Sequence, residues 1–531
     1  MQSSDNRPTG SRAAAVAGCA MGLPSPPGRA GQRWASVQRS SGVMPNGRPP
    51  VSPRTSRGRH GRGRLTSYPL ESTMSLSPAR VFAALNAVRP PDQALPILDK
   101  AVVVGGSIAG MLAARVLSDY AESVVIIDRD DLQTAGERPG VPQGTQLHAL
   151  LPGGFLQFEQ LFPGFREQAL AQGAIEAPPA ARRNYLDGRL KVVVPNDADS
   201  LVGSRPLLER LIREQVLRLP NVKVVTARAT GLVFDGAEVT GVRYDVDGVS
   251  GVEGGDLVVD AMGRSSRLSE WLGQAGWERP VTRRMTVHLN YATALFRRHE
   301  ANPDAAVVLA VHSPEMSSDV AGAAFFAIEG DRWMAMMVGY GDSRPGRIAE
   351  DFVRRLRDQF PPEFGEVAAN EMLGDVQTYR HADSRRRDFH AVKRFPARLV
   401  SVGDAVASFN PVYGQGMTAA ALHAACLSKY LRTNPDLSVP ARQYLALQKI
   451  VVDAAWSLST SADLALPHVD GPYPRGYRVS SWASRQIIAA TVTDVTIARR
   501  FNEVVSLREH PRSLASPGVI LGALRANRRA R

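Results

Sequence analysis

The chain has 531 residues, 44% hydrophobic and 22% charged, enough to bury the cores of two domains or of one domain with large insertions. The formal net charge is +13, but residues 1–73 alone hold eleven Arg, no Lys and two acids; the remaining 458 residues carry a net +4, ordinary for an enzyme and no mark of a nucleic-acid or anionic-membrane binder. Two cysteines, Cys19 and Cys426, cannot make a disulfide framework, no apolar run reaches about 18 residues, and CxxC and HExxH are absent, so the composition fits a reducing cytoplasm with no integral membrane association and no metal.

Residues 1–73 are rich in Arg, Gly, Pro and Ser, and too poor in apolar side chains to offset their ordering entropy. A disordered basic tail is expected there. Three origins stay open: a misassigned start with Met74 as the first residue, a functional basic arm, or a transit peptide. The scarcity of lysine, six against 58 Arg, reflects a GC-rich genome more simply than any arginine chemistry. Residues 74–97 hold a short helix, with Ser77 as N-cap and Pro78 at its first position, then the linker RPPDQALP.

A dense α/β pattern occupies 98–273. Ala101–Val104 reads as a buried strand that runs into Gly105-Gly106-Ser107-Ile108-Ala109-Gly110 and then the helix MLAARVL. This is the strand–tight turn–helix of a dinucleotide site, in which Gly105 permits the turn, Gly110 permits close helix packing, and Ser107 replaces the middle glycine. The next strand ends in Asp128, where an acid would meet the adenosine ribose; the bland alternative is a strand-end cap. The segment also approximates the hydrolase nucleophile elbow G-x-S-x-G, but in that fold sheet strands precede the elbow, and here only a linker and a low-complexity tail do. Downstream, Ser204-Arg205-Pro206 opens a helix; a cation at a helix start is mildly unfavourable, so a phosphate partner would explain Arg205. DLVVDAM at 256–262 is a further strand, entering Gly263-Arg264-Ser265-Ser266-Arg267.

Residues 274–395 alternate strand-like segments, with a hairpin turning at Glu329-Gly330-Asp331. Tyr291, Phe325, Phe326, Met334, Met336 and Met337 either line an apolar pocket or are ordinary core. At 396–440 a second strand–loop–helix appears: Leu399–Val402, Gly403-Asp404, then Asn410-Pro411-Val412-Tyr413-Gly414-Gln415-Gly416-Met417-Thr418 and an Ala-rich helix. Its glycines let backbone approach a flat ring, and its helix start offers N–H groups. Residues 441–531 look mainly helical.

GGSIAG at 105–110, SRPLLERLI at 204–212, DLVVDAMGRSSR at 256–267 and GDAVASFNPVYGQGMT at 403–418 resemble, in order and spacing, the FAD-dependent monooxygenases related to para-hydroxybenzoate hydroxylase. GVPQGTQLHALLPGG at 140–154 with NPVYGQGMT resembles bacterial polyether-type epoxidases most. The resemblance implies a three-layer Rossmann-like FAD-binding domain (98–273 and 396–440), an inserted mixed-sheet substrate domain (274–395) and a helical C-terminal region (441–531). It implies that Gly105, Ser107 and Gly110 frame the FAD pyrophosphate, Asp128 the ribose, and Arg138 and Arg205 the pyrophosphate and flavin side. Gly403 and Asp404 would hold the ribityl chain, and Gly414, Gly416, Met417 and Thr418 the pyrimidine edge. Oxygen chemistry in that family belongs to a flavin C4a-hydroperoxide, so no side-chain nucleophile is needed; His148 is the one candidate near the flavin. An apolar, natural-product substrate, O2, and NAD(P)H as electron donor complete the expectation. The family's middle-motif acid is replaced by Met262-Gly263, with Asp260 two residues earlier, which leaves room for a partner reductase that supplies electrons or reduced flavin. A reductase of prenyl double bonds is the alternative within flavoenzymes. A halogenase fits less well, because W-x-W-x-I-P is absent, and a nucleic-acid binder using the basic arm is the alternative from another class.

Overall fold

The computed structural model describes residues 77–133, 138–299, 303–314 and 320–530. The 1–73 tail therefore lies outside the described residues. The short helix forms at Pro78–Asn86, where the Ser77 hydroxyl accepts from the Arg80 N–H and Pro78 stands in the first turn.

A five-stranded, wholly parallel sheet carries the first motif. Its order is Leu399–Ser401, Leu257–Asp260, Leu98–Val104, Ala121–Asp128, Val222–Thr226. Val102, Val103, Val124, Ile126, Val258, Val259 and Val400 are all buried, as parallel strands covered on both faces require. The helix Ile108–Leu117 bridges the first two strands, and Gln415–Leu431 packs against it from 300 residues downstream. A three-stranded antiparallel sheet (Arg228–Asp235, Glu238–Val246, Val249–Gly254) leads into the strand at 257.

The second large sheet has eight strands, in the order Ala407–Ser408, Gln377–Arg387, Thr282–Arg297, Arg332–Gly339, Val320–Ile328, Val307–Val311, Arg182–Leu186, Arg189–Leu190. Antiparallel pairs dominate, and one parallel pair, Val307–Val311 with Arg182–Leu186, makes it mixed. It thus draws strands from both sides of 274–395 in the chain. The expected hairpin turns at 329–331, with Gly330 at φ +73 and Asp331 at φ +49.

Alternation along these strands sorts the six pocket candidates. Phe325 and Met337 point to the face covered by helices Ala349–Gln359 and Pro362–Ala368, in a core with Phe352 and Phe364. Tyr291, Phe326, Met334 and Met336 point the other way, Phe326 and Met334 towards Leu147 and Ala149, Tyr291 and Met336 towards Val412 and towards Leu464, Val469 and Tyr477 of the C-terminal region. Four of the six therefore lie on the face opposite the helices 349–368, and Phe325 and Met337 are core beneath those helices.

Four helices follow the second motif's own helix: Arg442–Asp463, Tyr477–Ala490, Val495–Val505 and Pro517–Arg529. Among the described residues no helix is long and apolar enough to cross a membrane, and no group of three His, Cys, Asp or Glu is placed to hold a metal.

Candidate FAD site

The strand ending at Val104 turns sharply at Gly105, whose φ of +108 is a conformation L side chains rarely adopt. A Cβ there would sit 2.4 Å from the Ala261 carbonyl oxygen, and one at Gly110 would sit 1.8 Å from the Gly105 carbonyl oxygen. The turn is therefore bare backbone beside a helix start whose first N–H groups have no intrahelical acceptor. Ser107 is the N-cap by backbone but does not cap with its hydroxyl, which instead accepts from the Arg205 guanidinium at 3.2 Å.

Asp128 closes the same turn. One carboxylate oxygen accepts from the Gly106 N–H at 2.5 Å; the other accepts from the Asp130 N–H at 2.8 Å and from Arg138 at 2.9 Å. Arg138 also donates to the Gly106 carbonyl at 3.0 Å and to Glu209 at 2.5 Å, and lies 3.3 Å from Asp130. Arg205 donates to the other Glu209 oxygen at 3.2 Å. The helix Arg205–Leu217 starts as expected, with Ser204 capping the Leu207 N–H, so Arg205 and Glu209 stand one turn apart on one face. Glu209 is the residue that sequence reasoning missed here; its signal was the i,i+4 spacing from Arg205.

The second motif meets the first at Gly403. This residue has φ +59, and a Cβ on it would lie 2.5 Å from the Ala109 Cβ. Its N–H donates to Nδ1 of the fully buried His423, whose imidazole burial pushes down to about 3. Asp404 follows, half-buried. Burial raises its pKa, against the opposing charges of Arg205 and Arg264 and a hydrogen bond from Ser408. Arg264 in turn donates to Ser408 at 3.2 Å and to Asp383 at 2.6 Å, and Arg387 donates to the carbonyls of Ala405 and Arg264 at 2.7 and 3.1 Å. Any side chain at Gly416 would come within 4.0 Å of Asp404 Oδ1, and Gly414, at φ +66, packs against Ala149 and Leu151. Met417 and Thr418 are buried in the first turn of the 415–431 helix.

His148 precedes Ala149, which lies at the Gly414 position, and its Nδ1 is 2.8 Å from the Gln146 carbonyl. Burial first, and Arg205 second, push its pKa down to about 4, so it is neutral at pH 7 and offers a lone pair rather than an acidic proton. Asp260 is not free to replace the missing acid of the middle motif: it accepts from the Met262 N–H at 3.0 Å, Ser266 at 2.7 Å and Ser401 at 3.1 Å.

These residues fit a flavin dinucleotide on their own evidence. The Gly105–Gly110 turn is so closely packed that no side chain fits at 105, 106 or 110, which leaves bare main chain at the helix start, and Thr418 Oγ1 and Gln415 Oε1, buried at the second helix start, have no hydrogen-bond partner among the described residues. Fold and site together define an FAD-dependent oxidoreductase of the monooxygenase superfamily related to para-hydroxybenzoate hydroxylase. Residues 99–434 match the FAD binding domain family, and the chain belongs to it. Protein Rv3254 of Mycobacterium tuberculosis is 33% identical over 454 residues, which cover 81% of this chain and 94% of that protein. Ubiquinone hydroxylase UbiL of Rhodospirillum rubrum is 26% identical over 70% of this chain and 83% of its own length. The flavin-dependent brominase Bmp2, in a triple mutant, shares the fold with a TM-score of 0.56 at 14% identity, over 81% of this chain and 100% of that one.

Beside the site lies a buried tyrosine–carboxylate cluster that the sequence did not announce. Asp463, at the end of its helix, accepts from Asn410 at 2.8 Å and Tyr413 at 2.9 Å through one oxygen, while Tyr291 donates to Asn410 at 3.5 Å. Burial raises Asp463 from 3.8 to about 6. The folded state therefore favours the protonated acid, and that advantage is lost as pH rises through about 6. Between pH 5 and pH 7.5, the stability of Asp463→Asn relative to the parent should shift in the variant's favour by about 1 kcal/mol. Paired denaturant melts at the two pH values check this; a shift towards the parent would show that the charged carboxylate is the form the fold prefers.

Proposed function

We propose that this protein inserts one oxygen atom from O2 into an apolar small molecule, by hydroxylation or epoxidation, with FAD reduced by NAD(P)H or by a partner reductase. The observation that carries the reading is the sheet face bearing Tyr291, Phe326, Met334 and Met336, turned towards Leu147 and Ala149 on either side of His148 and towards Val412 of the second motif. Bound FAD supplies the electron transfer to oxygen. The chain binds, orients and excludes water. Arg205 holds the pyrophosphate, Asp128 the ribose and Asp404 the ribityl chain, while Arg138, tied to Asp128, Glu209 and the Gly106 carbonyl, fixes the turn around them. The N–H groups and positive end of the 415–431 helix stabilise negative charge on the flavin's pyrimidine edge. The apolar face keeps water from the reacting atoms and the substrate against the ring. The name of UbiL supports hydroxylation; NPVYGQGMT supports epoxidation of a natural-product alkene. A cytoplasmic enzyme free of nucleic acid fits the charge balance outside residues 1–73.

A prenyl reductase would use the same flavin site without oxygen. The test is to offer NADPH and a panel of aromatic acids, phenols and polyenes to the FAD-loaded protein with and without O2. Product should form only with O2. Full anaerobic saturation of a double bond would overturn the oxygenase reading and leave the flavin site standing.

A further inference from the structure

A cavity of about 170 Å³ opens where Arg182–Leu186 and Val307–Val311 of the large sheet, the 149–152 stretch and the C-terminal helix Val495–Val505 meet. Its two walls differ. One is apolar: Val202, Val307, Leu309 and Phe326, on the sheet face that continues to Met334. The other carries Lys191, one of only six lysines in the chain. Its ammonium lies 5.3 Å from the Phe501 ring centroid and makes no ion pair with an acid among the described residues. Burial alone pushes it down to about 8. Lys191 is partly exposed at the cavity wall, and an ammonium with no acidic partner there is placed to meet an anion that enters the cavity.

The neighbouring charges do not fill that need. Asp197 is already engaged: it accepts from Asn502 at 2.8 Å and lies 3.7 Å from Arg182. Arg182 donates to Ser200 at 3.1 Å, and its Nε, buried, has no partner. Of the charged residues that line the cavity two are cationic and one is acidic, and the nearby Asp199 acts on Arg182, which leaves Lys191 as the lining cation without an acid. Ala149 and Leu151, which wall the cavity, also pack against Gly414 of the second motif, so cavity and flavin loop share one segment. Phe501, Asn502 and Ser506 lie beyond the 99–434 family match, so part of this wall is an addition of the C-terminal region.

We propose that this cavity binds the one charged end of an otherwise apolar substrate, a carboxylate that meets Lys191 while the apolar, ring-sized body beside it lies on Phe326 and Leu309. A volume near 150 Å³ is enough to take one benzene ring. The proposal rests on the monooxygenase reading for the word substrate, but its test reads binding without turnover. Benzoate, its neutral shape-match benzamide, and acetate are titrated calorimetrically into the FAD-loaded protein in the dark, with flavin absorbance followed in parallel. Benzoate should bind about tenfold or more tightly than either. Lys191→Met should erase the preference over benzamide with FAD retained, and Lys191→Arg, which keeps the charge, should preserve it. Equal binding of benzoate and benzamide, an unchanged preference in Lys191→Met, or acetate as tight as benzoate would each overturn the proposal. Loss of the oxygenase reading would show instead as benzoate-selective binding with no oxygen incorporated into any acid.

Discussion

Gly110→Ala protein is expected to purify colourless. The added Cβ would lie 1.8 Å from the Gly105 carbonyl oxygen, and the obstacle is main chain, which cannot swing aside as a flexible side-chain end could. Either the helix Ile108–Leu117 moves off the sheet or the turn changes shape, and both remove the array of N–H groups that a pyrophosphate needs. FAD affinity should fall at least about 100-fold, or roughly 2.7 kcal/mol. Gly518→Ala is the matched control, because nothing lies within 4 Å of its Cβ position and it stands in the first turn of a helix far along the chain from the motif. Fluorescence-quench titration of apoprotein with FAD reads both variants. Normal FAD binding by Gly110→Ala would place the dinucleotide somewhere other than this turn.

Asp404→Ala should weaken FAD by about 1.5–3 kcal/mol, the worth of a charge-assisted hydrogen bond to a ribityl hydroxyl, which is roughly 10–150-fold. The loss has a second source in the protein itself: Arg205 and Arg264 both act on this carboxylate, and although each keeps an acid of its own, Glu209 and Asp383, the positive charge around the ribityl site rises when Asp404 is removed. Asp404→Asn keeps an acceptor but not the charge and should fall between parent and Ala. The same titration decides, and unchanged affinity in the Ala variant would mean that the Gly-Asp pair only shapes the loop.

The two motifs were legible because each is dictated by its own backbone. Gly105 at φ +108, Gly110 against Gly105, Gly403 at φ +59 and Gly414 at φ +66 are demands a sequence displays openly as glycine. Their union was legible only through the family resemblance, since the contact of Gly403 with Ala109 spans almost 300 residues. The strands of the large sheet showed their alternation, but alternation does not say which face meets the flavin. Phe325 and Phe326 are adjacent and equally apolar, and only the packing of helices 349–368 on one face separates them. The arginine ties were invisible for the same reason: Arg264 to Asp383, and Arg387 to the Ala405 carbonyl, join segments with no local signal. Lys191 and Phe501 are a still longer case, a strand-end lysine completed by a C-terminal helix.

Oxygen isotope incorporation tests the central claim most directly. FAD-loaded protein, NADPH and an accepted substrate are incubated under 18O2 in ordinary water, and the product is weighed by mass spectrometry. The account predicts one 18O atom per product molecule, with none acquired when the label is in the water instead. Product formed without 18O from the gas, or formed equally well in its absence, would contradict it.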